Sequence, residues 1–223
     1  LATMLLVADG VSGRKEGGEA SRLAAEAIMR YVSSTMQCVH LSGRSTEQEF
    51  HQALRAAALE AHETVRAEAA QRKQEKGMAT TLTLALVVWP RMYVMQVGDS
   101  RCYLFSHGKL RQVTRDQTLA QGLADRGALP PERVAASPFS HVLSSAIGGS
   151  EATPEVARLE VHRGVVGLLC SDGLTKHVSD VEIAERIRGM ESSEQLCGAL
   201  LDLALERGGT DNITVIAGRV KGS

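Results

Sequence analysis

The segment from Thr80 to Val113 constrains the fold of this chain more than any other. It reads "TTLTLALVVWP", "MYVMQVGDS", "RCYLF" and "LRQV", four strand-like runs separated by a proline, a "GDS" corner and a "SHGK" turn. Parallel neighbours need a crossover of a dozen or more residues, and no such length is available. The runs therefore form an antiparallel meander.

What flanks the meander fixes the fold class. Thr3 to Asp9 reads as a buried strand. Glu19 to Thr35 reads as a helix, with Leu23, Ala27 and Tyr31 four residues apart, and a loop follows at Ser42-Gly43. A second helix is expected from Thr46 to Gln74, with the apolar stripe Phe50, Leu54, Ala57, Ala61, Val65 and Ala69. After the meander, Thr114 to Ser140 loses periodicity and carries Gly122, Gly127, Pro130, Pro131 and Pro138, which indicates an irregular or short-helical excursion. Strands follow at Glu155 to His162 and Val165 to Ser171. Two helices open on Ser179 and Ser192, with Glu182 and Gln195 three residues on, as in capping boxes. "NITVIAGRV" closes as a strand. Clustered strands and paired helices argue for an α+β fold of antiparallel sheets with helices outside.

Composition narrows the function classes. The 223 residues suit one large domain, and 43% hydrophobic content supplies a core. Aromatics are only 3%, so Leu, Val, Ile and Ala must fill that core. A net charge of -1 gives no basic field for nucleic acid, and no apolar run is long enough for membrane insertion. Cys38, Cys102, Cys170 and Cys197 form no CxxC pair and read as reduced core thiols of a cytoplasmic protein.

The candidate chemistry lies in acidic residues at strand ends. Asp9 follows "LLVA", Asp99 follows "YVMQVG", Asp172 follows "GLLCS", and Asp211 sits in "GGTDNITVI" just before a strand. One Asp-Gly at a strand end is an ordinary turn former. Four in one chain suggest a second reading, in which the sheets bring the carboxylates together and a cation offsets their repulsion. All-oxygen ligands favour Mg²⁺ or Mn²⁺, with Ca²⁺ as the alternative, and two such ions could activate a water for attack on a phosphoryl group. The sequence leaves open whether the four ends converge. His40, His51 and His62 read as surface residues, and His107 as a hairpin-turn residue. Ser100 and Ser171 lack a nucleophile elbow.

Taken in order, "VADGVSG", "GEAS", "GMATTLTLALV", "VGDSRCYLF", "LRQVTRDQTLAQGLADRGALP", "VLSSAIGG", "LLCSDGLTKHVSD" and "GGTDNITVI" resemble the metal-dependent, type 2C (PPM) Ser/Thr protein phosphatases in their bacterial form. The resemblance covers nearly the whole chain. It implies a four-layer α-β-β-α sandwich and hydrolysis of phosphoserine and phosphothreonine by a metal-activated water. It implies that Asp9 bridges two core ions, Mn²⁺ or Mg²⁺. The Gly10 carbonyl would bind the second ion, Asp172 and Asp211 the first, and Asp99 a third, looser ion. It makes 114–140 a flap within a single domain spanning 1–223, and makes the substrates phosphoproteins of a Ser/Thr kinase.

Three departures qualify this. The family's opening strand, with a phosphate-binding Arg and an acidic pair, would lie upstream of Leu1, so the N-terminal strand is expected to be missing here. Arg14 stands where a His is frequent, and Lys176 where a second Asp often follows the "SDG" one. Both are candidate phosphate or substrate contacts, and Lys176 could replace or exclude the third ion. They keep open a catalytically impaired relative acting as a phosphoprotein-binding module, or a regulatory domain of a larger signalling protein.

Overall fold

The computed structural model describes residues 2–11, 16–41, 47–72 and 77–221. Strand β1 (Ala2–Val7) leads to helices α1 (Gly17–Leu41) and α2 (Glu47–Gln71). The meander follows as β2 (Leu82–Val88), β3 (Arg91–Val97), β4 (Arg101–Ser106) and β5 (Lys109–Gln112). Short helix α3 (Leu119–Asp125) and a 3₁₀ turn at Pro131–Arg133 occupy the excursion. Then come β6 (Glu155–Glu160), β7 (Val166–Cys170), the single turn α4 (Asp172–Thr175), α5 (Asp180–Arg188), α6 (Ser193–Glu206) and β8 (Val215–Arg219).

The strands form two four-stranded antiparallel sheets, ordered β1-β2-β3-β6 and β5-β4-β7-β8. Three apolar layers separate four structural layers. Side chains of α1 and α2 meet Leu82, Leu84, Leu86, Tyr93 and Met95 of the first sheet. Ala85, Met92 and Val94 on its other face meet Cys102, Leu104 and Leu169 of the second. Val166, Leu168 and Cys170 turn outward onto Ile183, Ile187, Leu196 and Leu200 of α5 and α6. Period-2 alternation sends neighbouring residues to opposite faces, and both faces are covered. "LTLALVV" therefore reads as one apolar run rather than an alternating one. Each large side chain so buried contributes about 1.5–3 kcal/mol. The α1–α2 face is built from Ala20, Ala24, Ala27, Ala57, Ala58 and Ala61, which lets the low-aromatic chain pack closely.

Some expectations need correction. β1 is an edge strand and only half-buried, with Val7 alone fully covered, and it ends two residues before Asp9. An edge strand lacks one neighbour, so it cannot be as enclosed as β2. His62 is buried rather than on the surface, because it completes the packed face of α2. Ser179 forms the expected capping box with Glu182, whereas at Ser192 only half of one forms. The Gln195 side chain accepts from the amide of Glu191 instead. The Ser42-Gly43 loop lies outside the described residues.

Candidate active site

Asp9 is held by its backbone. Its carbonyl accepts from the Thr81 amide and the Thr80 hydroxyl, both at 2.8 Å, and its amide donates to Thr81 Oγ1 at 3.0 Å. Thr81 Oγ1 also meets Ser100 Oγ at 2.7 Å, so the Asp9 and Asp99 loops share one hydroxyl pair. These threonines and Ser100 are buried, and sequence reasoning missed them as supports of the site. The signal for the threonines was "TTLT", hydroxyls in an otherwise apolar run, and for Ser100 its place next to Asp99. Gly10 pairs with Thr80, and a Cβ there would lie 2.3 Å from the Gly17 carbonyl carbon. The glycine is required by the start of α1.

Asp99 occupies the corner where the chain passes from the first sheet to the second. Gly98 takes φ 104°, and Gln96 and Gln117 side chains tie the corner to the 114–118 segment. Asp99 is 8% exposed.

Asp172 begins α4, and Asp211 comes from the loop before β8. Gly173 explains their proximity, since a Cβ on it would sit 2.2 Å from the Asn212 carbonyl oxygen. Ser171 Oγ donates to the Asn212 carbonyl and accepts from the Thr214 amide. The hydroxyl is a clamp between the two segments, in keeping with its rejection as a nucleophile. His177 Nε2 accepts from the Thr210 amide at 3.2 Å and fixes the loop from the other side.

The four strand-end carboxylates thus share one place. Burial, followed by the Asp172 and Asp211 carboxylates, raises Asp9 to about 7, and its carboxyl comes within hydrogen-bonding reach of Asp172. Burial, followed by Asp172, Asp116 and Asp9, raises Asp99 to about 7. Asp116 is itself matched by Arg101, in a two-pronged contact at 2.8 and 3.0 Å, so Arg101 is committed there. Lys176 Nζ lies 2.7 Å from Asp172 Oδ2 and 2.6 Å from Asp211 Oδ2. Burial works against that ammonium, but the two carboxylates outweigh it and hold its pKa above the ordinary lysine value. Arg14 lies outside the described residues.

The donor set fits a hard divalent cation. Every side-chain donor is a carboxylate oxygen, the crowded acids carry charge that a cation would relieve, and Asp172 Oδ1 is buried with no donor from the protein. Among the described residues no three ligands already stand in coordinating position, and Lys176 Nζ contacts both Asp172 and Asp211. A cleft of about 780 Å³ opens beside the cluster. Asp99, Asp172, Lys176, Thr210, Arg115 and His141 are among the residues that line it.

The chain as a whole has counterparts among known proteins. Residues 2–200 match the model of the protein phosphatase 2C family. The chain belongs to that family. Among protein phosphatase 2C relatives, serine/threonine protein phosphatase PstP of Mycobacterium tuberculosis is 34% identical over 98% of this chain, which spans 40% of that protein's length. Serine/threonine phosphatase stp of Listeria welshimeri is 30% identical, with 96% of this chain and 82% of that protein covered. A solved structure of the PstP catalytic domain in complex with two manganese ions superposes with a TM-score of 0.77 at 34% identity, covering 98% of this chain and 88% of that one. The two helix-covered antiparallel sheets are thus the protein phosphatase 2C fold.

Proposed function

We propose that this chain is a metal-dependent Ser/Thr protein phosphatase. It would hydrolyse phosphoserine and phosphothreonine in protein substrates of a Ser/Thr kinase. The observation that carries the reading is the convergence of Asp9, Asp99, Asp172 and Asp211 from separate loops onto one spot beside an open cleft. Support comes from relatives named as Ser/Thr phosphatases and from the two manganese ions of the PstP complex.

In this reading Asp9, the Gly10 carbonyl, Asp172 and Asp211 hold two core ions, Mn²⁺ rather than Mg²⁺ by analogy with PstP, and Asp99 serves a third. Ions bound there supply Lewis acidity toward phosphoryl oxygens and lower the pKa of water. The chain's own groups do the rest. Thr80 and Thr81 fix Asp9 in orientation. Ser171, Gly173 and His177 fix the spacing of Asp172 and Asp211. The carboxyls of Asp9 and Asp99, raised to about 7, release protons readily when a cation arrives. The 114–140 segment acts as a flap, and Arg115 and His141 give the cleft polar groups for a peptide flanking the phosphate. Among the described residues no helix is long and apolar enough to cross a membrane. Cys102 and Cys170 are buried free thiols, which suits the reducing cytoplasm.

The test is hydrolysis of a phosphothreonine peptide by the full-length protein, with and without Mn²⁺. Asp172→Asn should lower the Mn²⁺-dependent rate by about a hundredfold or more. A rate independent of Mn²⁺, or unmoved by this substitution, would refute the assignment. Retained peptide binding without turnover would leave the impaired relative.

A further inference from the structure

The reading above makes no use of Lys176. This residue follows Asp172 by four residues at the end of α4, so both side chains share a face of that turn. Asp211 comes from the opposite loop. The ammonium closes the gap between them with two short ionic contacts, 2.7 Å to Asp172 Oδ2 and 2.6 Å to Asp211 Oδ2. The three side chains are only 24%, 19% and 20% exposed, so these contacts are sheltered from solvent screening.

We infer that Lys176 is a tethered cation that holds the position between Asp172 and Asp211 against divalent ions, so that metal enters only when its ammonium leaves. The inference rests on the assignment of Asp9, Asp172 and Asp211 as metal ligands. The backbones that carry the two carboxylates are held in place. Gly173 abuts Asn212, Ser171 bonds the 212–214 segment, and His177 bonds Thr210. The lysine can yield. Its ammonium rides on a four-carbon stem with rotatable bonds, and its side chain borders the 780 Å³ cleft, so it can swing aside without displacing backbone. A divalent ion brings twice the charge and more ligand directions, so it wins at sufficient concentration. Until then the lysine keeps the two acids paired. The consequence is a raised threshold of metal for occupancy, set by one side chain.

The experiment uses metal-stripped full-length protein titrated with Mn²⁺, the free ion being followed by its aqueous EPR signal. Lys176→Met keeps the length of the side chain and removes the charge. It should tighten the first Mn²⁺ bound by about ten- to a hundredfold. It should also lower the thermal midpoint of the metal-free protein and enlarge the rise produced by Mn²⁺. Lys176→Gln should move both readouts in the same direction, and Lys176→Arg, which keeps the charge, should not tighten binding. Equal or weaker Mn²⁺ affinity in both neutral variants would overturn the tethered cation while leaving the metal site intact. Absence of Mn²⁺ binding to wild type and neutral variants alike, in folded protein, would overturn the metal assignment and this inference with it.

Discussion

His62 looks like one more polar residue on the charged helix α2, yet it is 6% exposed. Its Nδ1 accepts from the Gly148 amide at 3.0 Å, and Gly148 follows Ile147, whose backbone pairs with Thr80 behind Asp9. The ring must be neutral at Nδ1 to accept. Burial lowers its pKa below the ordinary 6.5, Glu63 opposes that and Arg66 adds to it. The sign follows directly. Below pH 6.5 the unfolded chain takes up a proton that the folded chain refuses, so stability is present above that value and declines as pH falls through the ordinary value toward the depressed one. The thermal midpoint of the metal-free protein should therefore carry a destabilising component between pH 7 and pH 5.5 that is absent in His62→Gln. His62→Leu, which orphans the Gly148 amide, should cost about 1–3 kcal/mol at neutral pH. An identical pH slope in wild type and His62→Gln would count against this role. At this scale the sequence was partly legible. The four aspartates stood out because each is an acid where an apolar strand meets a loop, with a glycine beside it or within two residues. His62, Thr81 and Ser100 did not, because their partners are distant in sequence and a hydroxyl or imidazole carries no local sign of what it will meet.

The elements that matter most are α4 and the loop before β8, since their separation sets the distance between Asp172 and Asp211. Gly173 makes that separation small. Gly173→Ala would place a methyl group 2.2 Å from the Asn212 carbonyl, a contact with backbone that no rotamer change relieves. The loop must shift, at a cost of about 1–3 kcal/mol for overpacking. Mn²⁺ affinity should fall by about tenfold or more through misplaced Asp211. Gly189→Ala, where the nearest atoms lie at 3.9 Å, serves as the control and should leave Mn²⁺ affinity alone. Calorimetric titration of both variants with Mn²⁺ decides the matter, and equal affinities would refute the argument. The same pair of elements shows why Lys176 was only half legible. Its four-residue spacing from Asp172 was visible in "SDGLTK". Its second contact, 35 residues away on Asp211, depends on the close approach that Gly173 permits. β1 shows the converse. Its composition is that of a buried strand, but a place at the sheet edge is decided by which strands pair, and composition does not encode that.

Across the whole molecule, the carboxylates are divided between the sheets. Asp9 extends from β1 of the first sheet, Asp172 and Asp211 flank β7 and β8 of the second, and Asp99 sits on the one corner where the meander crosses between them. The layer between the sheets is aliphatic, with Val7, Met92, Val94, Leu104 and Leu169 among its buried members, so apolar packing alone holds the seam there. An ion held by both sheets would act as a staple at one end of this seam. Ligand binding stabilises the folded state in proportion to RT ln(1 + [L]/Kd), about 2.7 kcal/mol at a hundredfold excess over Kd for one site. That stabilisation should be unevenly distributed. Adding Mn²⁺ to stripped protein should slow amide hydrogen exchange at residues 9–11, 98–101 and 210–214 and along the facing strands β1 and β7. The amides of α1 and α2 on the far side of the first sheet should change little, and chelation should reverse the pattern. Hydrogen exchange read by mass spectrometry checks this. Protection confined to 172–176 and 210–214 would mean the ion is held by the second sheet alone, and the view of Asp9 as the bridging ligand would have to be abandoned.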